Sequence, residues 1–416
     1  MRVLFCISGI GRGHAARCRP LLIALQRRGH ECVAAVPGGR AAAVLEDRCA
    51  ILRPPADFRA RVAPPPIERP AFLAVHDLEA CLSAYQRDLR DGLEASVAYI
   101  DAAIRSARPD VVVVDQIMGA GALARAHGLP AVQVSHPPML PGHGPWATWA
   151  PRRDPRTQTP SALPVLNALF DRLGLAAPPS VESLLEGDLL VVPSHPGFGS
   201  APGALHVRPE DEVGATAMPS APAHGERAPR VLVYLGGGAE RLADDVVRAV
   251  LDAGARALVV DGMRLEVQPS LAGDSRVQLT GPVPMDRVLS DCAAIVHHGG
   301  SGTAHAALSA GVAAVAVPTN TEQELNARKV EELGAGRFVP VSEAPLQPFE
   351  VRPGFTTLAH RSVEGLEERL ADALRSVLLD PSSSSRAAEL GAELAALPPV
   401  ADAALALEGL ARERAA

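Results

Sequence analysis

Residues 297–303 read His-His-Gly-Gly-Ser-Gly-Thr, and this stretch decides the fold. An apolar run at 293–296 precedes it, and an alanine-rich segment at 304–310 follows it. This order predicts a strand, a glycine turn and the start of a helix. Unpaired N–H groups and the positive end of the helix dipole then face one point, which suits a phosphate or pyrophosphate. The turn contains no lysine, so a nucleotide-hydrolysing P-loop is disfavoured.

Length and composition limit the class of protein. A chain of 416 residues is too long for one ordinary core, so two α/β domains of roughly 200 residues each are expected. The net charge of -7 and the absence of a basic block in the sequence argue against a nucleic-acid partner. Six scattered cysteines without a CxxC pair predict free thiols in a reducing compartment. We expect no signal sequence and no membrane span, and therefore a cytoplasmic protein.

The chain contains two similar βαβ units. Each begins with an apolar run, at 2–7 and at 230–235, which precedes a glycine turn and a segment of helical periodicity. More apolar runs of strand length follow, at 111–114, 131–134, 189–192, 294–296 and 312–317. Continuous apolar strands that alternate with helices indicate parallel sheets covered on both faces. We therefore predict an α/β protein with two Rossmann-like, doubly wound domains that face each other across a cleft.

The domain boundaries follow from a change in composition. Residues 195–229 are rich in proline and glycine and show little periodicity, which is typical of a linker and hinge. We assign the first domain to residues 1–210, the linker to 211–229 and the second domain to 230–385. Residues 386–416 are predicted to form a C-terminal helix that could pack back on the first domain, after a flexible turn of four serines.

The region 281–336 carries a specific order of motifs. Gly281-Pro282-Val283-Pro284 comes first, and the glycine turn, an apolar strand that ends at Pro318 and the pair Glu322-Gln323 follow it. This order resembles the GT-B glycosyltransferases that act on natural products, a UDP-glycosyltransferase-like family with macrolide, glycopeptide and plant members. The resemblance implies an inverting, metal-independent enzyme of the hexosyltransferase type. It would move a sugar from a nucleoside diphosphate to a hydroxyl group of a small molecule in antibiotic biosynthesis.

The resemblance also implies which residues bind the donor. The first domain would bind the acceptor and the second domain the nucleotide sugar, with Val283 near the base and Glu322 and Gln323 on the sugar hydroxyls. The pyrophosphate would lie on the turn and on residues near it: His298, Gly299, Gly300, Ser301, Gly302 and Thr303, with Gly13 and Gly237 also close to the donor. Preorganised hydrogen-bond donors aimed at a departing diphosphate lower the barrier, so neither a metal nor a cofactor is expected.

Two departures from the family pattern concern the donor. Glu322 stands where the family usually has an aspartate, and its side chain is one methylene longer, so the sugar stays open. Ala306 stands where members that use UDP-sugars commonly carry a glutamate that binds the ribose hydroxyls. The string at 302–305 is similar to that of bacterial antibiotic members that use dTDP-sugars. A dTDP-deoxysugar is therefore favoured, with a UDP-sugar as the alternative.

An acceptor hydroxyl has a pKa far above 7, so its attack on an anomeric carbon needs a base within hydrogen-bond reach. The resemblance places this base at His14 and its partner at Asp115, which would orient the imidazole and stabilise the imidazolium. The family usually has a proline three residues after this histidine, where this chain has Arg17. Arg12 and Arg17 are candidates for contacts with the donor phosphates or with an anionic acceptor.

The acceptor pocket gives weaker signals. His136 follows a strand on the cleft side and is predicted to contact the acceptor. Trp146 and Trp149 lie in the proline-rich segment 137–160, where they would either line an apolar pocket or anchor the loop. His305 follows the glycine turn, with packing and donor contact as equal alternatives. The acceptor itself and the choice between monomer and homodimer stay open.

Other functions remain as alternatives. With the same fold, the chain could be a cell-envelope transferase with a lipid-linked acceptor, or a sugar-nucleotide 2-epimerase. A non-catalytic partner of another glycosyltransferase belongs to a different class, and the presence of His14, Asp115 and Glu322-Gln323 argues against it. A NAD-dependent dehydrogenase is disfavoured, because the glycines at 9–13 follow the dinucleotide-binding pattern only loosely.

Overall fold

The computed structural model describes residues 1–62, 69–84, 86, 88–117, 119–141, 154–210, 228–236, 238–260, 265 and 267–415. The strands are β1 Arg2–Ile7, β2 Glu31–Ala35, β3 Ala50–Leu52, β4 Phe72–Leu73, β5 Val111–Asp115, β6 Ala131–Val134, β7 Leu189–Pro193, β8 Ala204–Val207, β9 Arg230–Tyr234, β10 Arg256–Val260, β11 Val277–Thr280, β12 Ala294–His297, β13 Ala313–Ala316, β14 Gly336–Phe338, β15 Gln347–Arg352 and β16 Phe355–His360. The helices are α1 Gly13–Arg27, α2 Gly39–Ala42, α3 Phe58–Val62, α4 Leu78–Ala84, α5 Leu89–Ala107, α6 Ala120–Ala126, α7 Leu163–Leu173, α8 Ala243–Asp252, α9 Pro269–Ala272, α10 Met285–Val288, α11 Ser301–Ser309, α12 Thr321–Glu332, α13 Leu366–Leu379, α14 Ser382–Ala395 and α15 Val400–Ala415.

Two parallel sheets form the framework. The first has the strand order β3-β2-β1-β5-β6-β7-β8, and the second has the order β11-β10-β9-β12-β13-β14. Both sheets are covered on both faces. In β1, for example, Phe5 packs into the core that contains α1, whereas Leu4 packs into the core that contains α5. The predicted fold class, two Rossmann-like domains with doubly wound sheets, is confirmed.

The strand order reverses direction once in each sheet. This switch point lies between β1 and β5 in the first sheet and between β9 and β12 in the second. Ligands of open α/β sheets bind at the carboxyl ends of the strands beside such a point. The segments that leave β1 and β12 are two of the glycine turns singled out in the sequence, so the fold places both of these turns where ligands are expected.

A third sheet connects the two halves of the chain. Its antiparallel strands run in the order β15-β16-β4, and β4 belongs to the first half whereas the hairpin β15–β16 belongs to the second. The N–H of Ala74 donates to the carbonyl of Leu358 at 2.8 Å, and Gln158 and Thr356 exchange two backbone hydrogen bonds of 2.8 Å. These strands were not predicted. Rotation about a hinge at 195–229 would have to break their hydrogen bonds, so the structure restrains that predicted hinge.

The C-terminal region differs from its prediction. Two helices, α14 and α15, replace the single helix at 386–416, because Pro398 and Pro399 lie between them and cannot continue a helix. The four serines form the first turn of α14, where the carboxylate of Asp380 accepts a hydrogen bond from the N–H of Ser382 at 2.9 Å. The apolar stretch Ser382–Arg414 is long enough to cross a membrane by length and composition alone. In the structure it packs on both domains instead, α14 against α11 and α15 against α1.

Candidate active site

His14 and Asp115 meet at the switch point of the first sheet. β1 ends at Ile7, and after the glycine turn His14 is the second residue of α1. Asp115 ends β5 and is the register partner of Ile7. His14 Nδ1 lies 2.8 Å from Asp115 Oδ1, and the exposed fractions of the two side chains are 15% and 0%. The carboxylate can only accept here, so Nδ1 donates and Nε2 keeps a lone pair that can take a proton.

Arg17 completes a charged group around Asp115. Its Nε donates to Oδ2 at 2.8 Å and its Nη2 donates to Oδ1 at 2.6 Å, which is the bidentate geometry of strong arginine–carboxylate pairs. Burial by itself raises the pKa of Asp115, but the charge of Arg17 and the hydrogen bonds from His14 and Arg17 outweigh burial and hold that pKa well below its ordinary value. The Arg17 guanidinium is therefore engaged inside the first domain, and its suggested contact with the donor phosphates or with an anionic acceptor stays a prediction. Arg12 is exposed on the preceding turn.

The glycine turn of the second sheet is shaped by α12. Gly299 has a φ of 85°, and a Cβ atom at this position would lie 2.4 Å from the carbonyl oxygen of Gln323. Only glycine fits such a conformation and such a close approach. The carbonyl of Gly299 accepts a hydrogen bond from Asn326 Nδ2 at 3.0 Å, and its N–H donates to His297 Nδ1 at 3.0 Å. Burial lowers the pKa of His297 to about 3, so this ring is a neutral acceptor.

The start of α11 and the ring of His298 form one surface. Gly300 caps the nine-residue helix without a side-chain hydrogen bond, so the N–H groups of its first turn have no side-chain acceptor at the cap. The His298 ring lies over the cap, because a Cβ atom on Gly300 would be 2.5 Å from Nε2. Burial lowers the pKa of His298, which favours a neutral ring. Gly302 is exposed, with open space where a Cβ atom would lie. This surface can bind a diphosphate by hydrogen bonds and by the helix dipole.

Glu322 and Gln323 begin α12 beside this surface. The Oε1 atom of Gln323 accepts hydrogen bonds from the N–H and the hydroxyl of Thr319 at 2.8 and 3.0 Å, which holds the side chain against the start of its own helix. Glu322 lies deep between the two domains, although 38% of its side chain is exposed within the cleft. Burial raises the pKa of Glu322, and the nearby charges of His14 and Arg17 oppose this increase only in part.

His136 connects the two domains. Its ring is 1% exposed, its Nε2 lies 2.6 Å from Gln116 Nε2, and its Nδ1 lies 3.7 Å from Glu322 Oε1. Burial lowers the pKa of His136 well below its usual value, so the ring is neutral: Nε2 accepts from the Gln116 amide and Nδ1 carries the proton. The ring offers no surface to an acceptor, contrary to the prediction. The ring borders the cleft indirectly: it contacts the side chain of Gln116, whose φ is 49°, and it lies beside Glu322.

His305 has a packing role. Its Nδ1 donates to the carbonyl of Ser301 at 2.7 Å, and its Nε2 accepts from the hydroxyl of Ser194 at 2.9 Å and from the N–H of His195 at 3.3 Å. Burial lowers the pKa of His305 to about 4, so the ring stays neutral and keeps the tautomer that these contacts require. It thus connects α11 to the segment after β7.

The remaining predicted residues have the following positions. Val283 is buried, Ser301 and Thr303 are partly buried on the first turn of α11, and Gly13 is exposed with open space at its Cβ position. Gly237, Trp146 and Trp149 lie outside the described residues. Within the described ranges, no group of three or more His, Cys, Asp or Glu residues could hold a metal ion.

Sequence reasoning missed three contributors to this site. Gln116 orients the ring of His136, Thr319 orients the side chain of Gln323, and Asn326 orients the backbone of Gly299. Each of the three is separated along the chain from the residue that it orients. The position of Asn326 after the Glu322-Gln323 pair offered a weak signal, because it lies on the face of α12 that meets the glycine turn.

Comparisons with known proteins agree with this geometry. Residues 258–353 match the family model described as Erythromycin biosynthesis protein CIII-like, C-terminal domain. The elloramycin glycosyltransferase ElmGT of Streptomyces olivaceus is 30% identical over 429 residues, which cover 98% of this chain and 97% of that protein. The 10-deoxymethynolide desosaminyltransferase of Streptomyces venezuelae is 27% identical over 68% of this chain and 70% of its own length. The crystal structure of glycosyltransferase VinC in complex with dTDP superposes with a TM-score of 0.71 at 25% identity and covers 99% of this chain and 100% of VinC.

Proposed function

This chain belongs to the natural-product GT-B glycosyltransferases, and from that premise we propose that it transfers a sugar from a dTDP-activated donor to a hydroxyl group of a small molecule, with inversion and without a metal. One observation carries the proposal. Glu322 of the second domain lies 3.7 Å from His136 of the first, and Gln116, which contacts the other side of His136, directly follows Asp115. Glu322, which we propose to bind the sugar, and the proposed base therefore border the same space.

The chemistry begins at His14. Its Nε2 takes the proton of the acceptor hydroxyl while Asp115 accepts from Nδ1 and holds the ring in the tautomer that leaves Nε2 free. The acceptor oxygen forms a bond to the anomeric carbon as the bond from that carbon to the diphosphate oxygen breaks. A single displacement from the opposite face inverts the configuration.

The diphosphate leaves into the surface formed by α11 and His298. The N–H groups of the first helical turn, the helix dipole and the ring of His298 stabilise the negative charge that develops as the bond breaks. These donors are held in place before the reaction, because α12 supports the turn through Asn326. Such a site can supply the electrostatic stabilisation that a metal ion provides in other transferases.

The preference for dTDP rests on Ala306. Its methyl group leaves no hydrogen-bond acceptor for a ribose 2'-hydroxyl at this position of α11, and deoxyribose needs none. The similar VinC was crystallised with dTDP, which supports the same choice here. Glu322, with Gln323, would then bind the hydroxyls of the sugar.

A ligand panel tests the donor assignment. We expect dTDP to raise the melting temperature more than UDP or GDP, because a ligand that binds only the native state stabilises it by about 2.7 kcal/mol at a hundredfold excess over its Kd. Ala306→Glu should shift the preference towards UDP, whereas Ser309→Glu, on the exposed part of the same helix, should leave it unchanged. Equal stabilisation by all three nucleotides in the natural protein would count against the dTDP assignment.

A further inference from the structure

We propose that Arg17 is a positioning residue that weakens the His14 base and so matches the enzyme to acidic acceptor hydroxyls, that is phenols and enols, in preference to saturated alcohols. The inference rests on the proposed role of His14 as the base. It starts from Arg17, a charged residue beside the His14–Asp115 pair at the position where the family usually has a proline.

The geometry places Arg17 in direct competition with the imidazole. Both carboxylate oxygens of Asp115 accept from Arg17, and Oδ1 is shared with His14. Arg17 Nη2 lies 3.1 Å from His14 Nδ1, so a protonated imidazole would stand beside a guanidinium of the same charge. In a simple histidine–aspartate pair the carboxylate stabilises the imidazolium. Here its charge is already balanced, so Asp115 still orients the ring but strengthens the base much less.

Few other described groups near the ring can restore that stabilisation. Cys18, on the same helix, donates to Asp115 Oδ2 at 3.5 Å, and burial raises its pKa well above the usual value, so it stays a neutral thiol. His136, at the end of β6, is neutral for the reason given above. Glu322, on α12, is the acid that faces the ring from the second domain, and in the proposed complex it binds the sugar.

The strength of the base selects the acceptor. In the transfer, the O–H bond breaks towards His14 Nε2, the oxygen electron pair forms the bond to the anomeric carbon, and the diphosphate leaves with the pair of the old bond. A weak base removes a proton more readily from a phenol, with a pKa of about 10 as in tyrosine, than from a hydroxyl as weakly acidic as water, at about 15.7. Saturated alcohols are about as weakly acidic as water, so a weak base removes their proton less readily.

The first test does not need turnover. The pH titration of His14 is followed by 15N NMR in the full chain, and His14→Asn identifies its signals. Arg17→Met should raise the His14 midpoint by about 1 pH unit or more, as expected for the loss of a like charge in contact. Arg17→Lys, which keeps the charge, should have a His14 midpoint nearer to that of the wild type. Arg105→Met is the matched control, because Arg105 forms a similar group with Asp101 and His127 elsewhere in the first domain.

The outcomes separate the two proposals. An unchanged His14 midpoint in folded Arg17→Met overturns the role of Arg17. If that variant does not fold, a large rise of the midpoint in Arg17→Lys, which keeps the charge, does the same. The second test compares 2-naphthol with decahydro-2-naphthol, with dTDP-glucose as donor, and we expect the wild type to favour the phenol by about 100-fold. Similar rates with both, or transfer to neither, contradict the acceptor class. Transfer that survives in His14→Asn contradicts the proposed function instead.

Discussion

Replacement of Asp115 by asparagine should abolish the orientation of the base while it keeps the shape of the side chain. An asparagine has one acceptor and one donor, whereas Asp115 accepts from His14, from Arg17 and from Cys18. If the amide nitrogen faces His14, then Nδ1 must accept and the proton moves to Nε2, where it blocks the base. If the nitrogen faces Arg17, two donors oppose each other inside the protein.

The expected losses of stability and of kcat both follow from the buried position of Asp115. Asp115 is 0% exposed and the Arg17 side chain is 14% exposed, so the variant leaves a largely buried guanidinium without its counter-charge. Breaking such a pair costs about 3–5 kcal/mol of unfolding free energy. The wrong imidazole tautomer lowers kcat by about 10⁴-fold in a comparable arrangement.

The assay measures kcat with saturating dTDP-sugar and the urea midpoint of the same preparation. Asp101→Asn is the matched control, since Asp101 accepts from Arg105 and from His127 at 2.7 Å and lies near the amino end of β5, away from the cleft. That control should lose stability but keep its kcat. A kcat of folded Asp115→Asn within tenfold of the wild type would refute the reasoning.

The same residue predicts a dependence of stability on pH. The pKa of Asp115 is lowered in the folded state, so the folded protein binds this proton more weakly than the unfolded chain does. The contribution of Asp115 is therefore fully present above the ordinary pKa of about 3.9 and is lost as the pH falls below that value. The difference in unfolding free energy between the wild type and Asp115→Asn should narrow from pH 5 to about pH 3. A difference that does not change over this range would contradict the assignment.

Three further substitutions test the second domain. Gly299→Ala should lower the affinity for dTDP and cost at least about 1–2 kcal/mol of stability, because of the positive φ and the close carbonyl of Gln323, and calorimetry measures both. His298→Ala should lower kcat by about 10²–10³-fold with little change in the melting temperature, as expected for the loss of one donor to the leaving group. Thr357→Val should cost about 1–3 kcal/mol in urea unfolding, because the buried carbonyl of Ala74 loses a hydrogen bond of 2.6 Å from the threonine hydroxyl.

The sequence by itself determined the elements whose signals are local. Apolar runs of four to six residues followed by glycines predicted β1, β9 and β12 and the turns after them, and the repeated βαβ order predicted two parallel sheets. Strand, turn and helix start follow one another within about fifteen residues, so periodicity and glycine positions are sufficient for them. The order of motifs at 281–336 added the family, which the comparison with ElmGT confirmed.

The tertiary structure decided what depends on segments distant in the chain. β4 pairs with β16 through residues that lie 286 and 288 positions apart, and a strand of two residues is too short to show a periodicity that would distinguish it from a loop. Arg17 was a candidate for contacts with the donor phosphates or with an anionic acceptor, and its ion pair with Asp115, 98 positions away, was not predicted, because it depends on β1 and β5 being neighbours in the sheet. The charge and the hydrogen-bonding groups of a side chain follow from its residue type alone. Which partner contacts those groups depends on the packing of the whole chain.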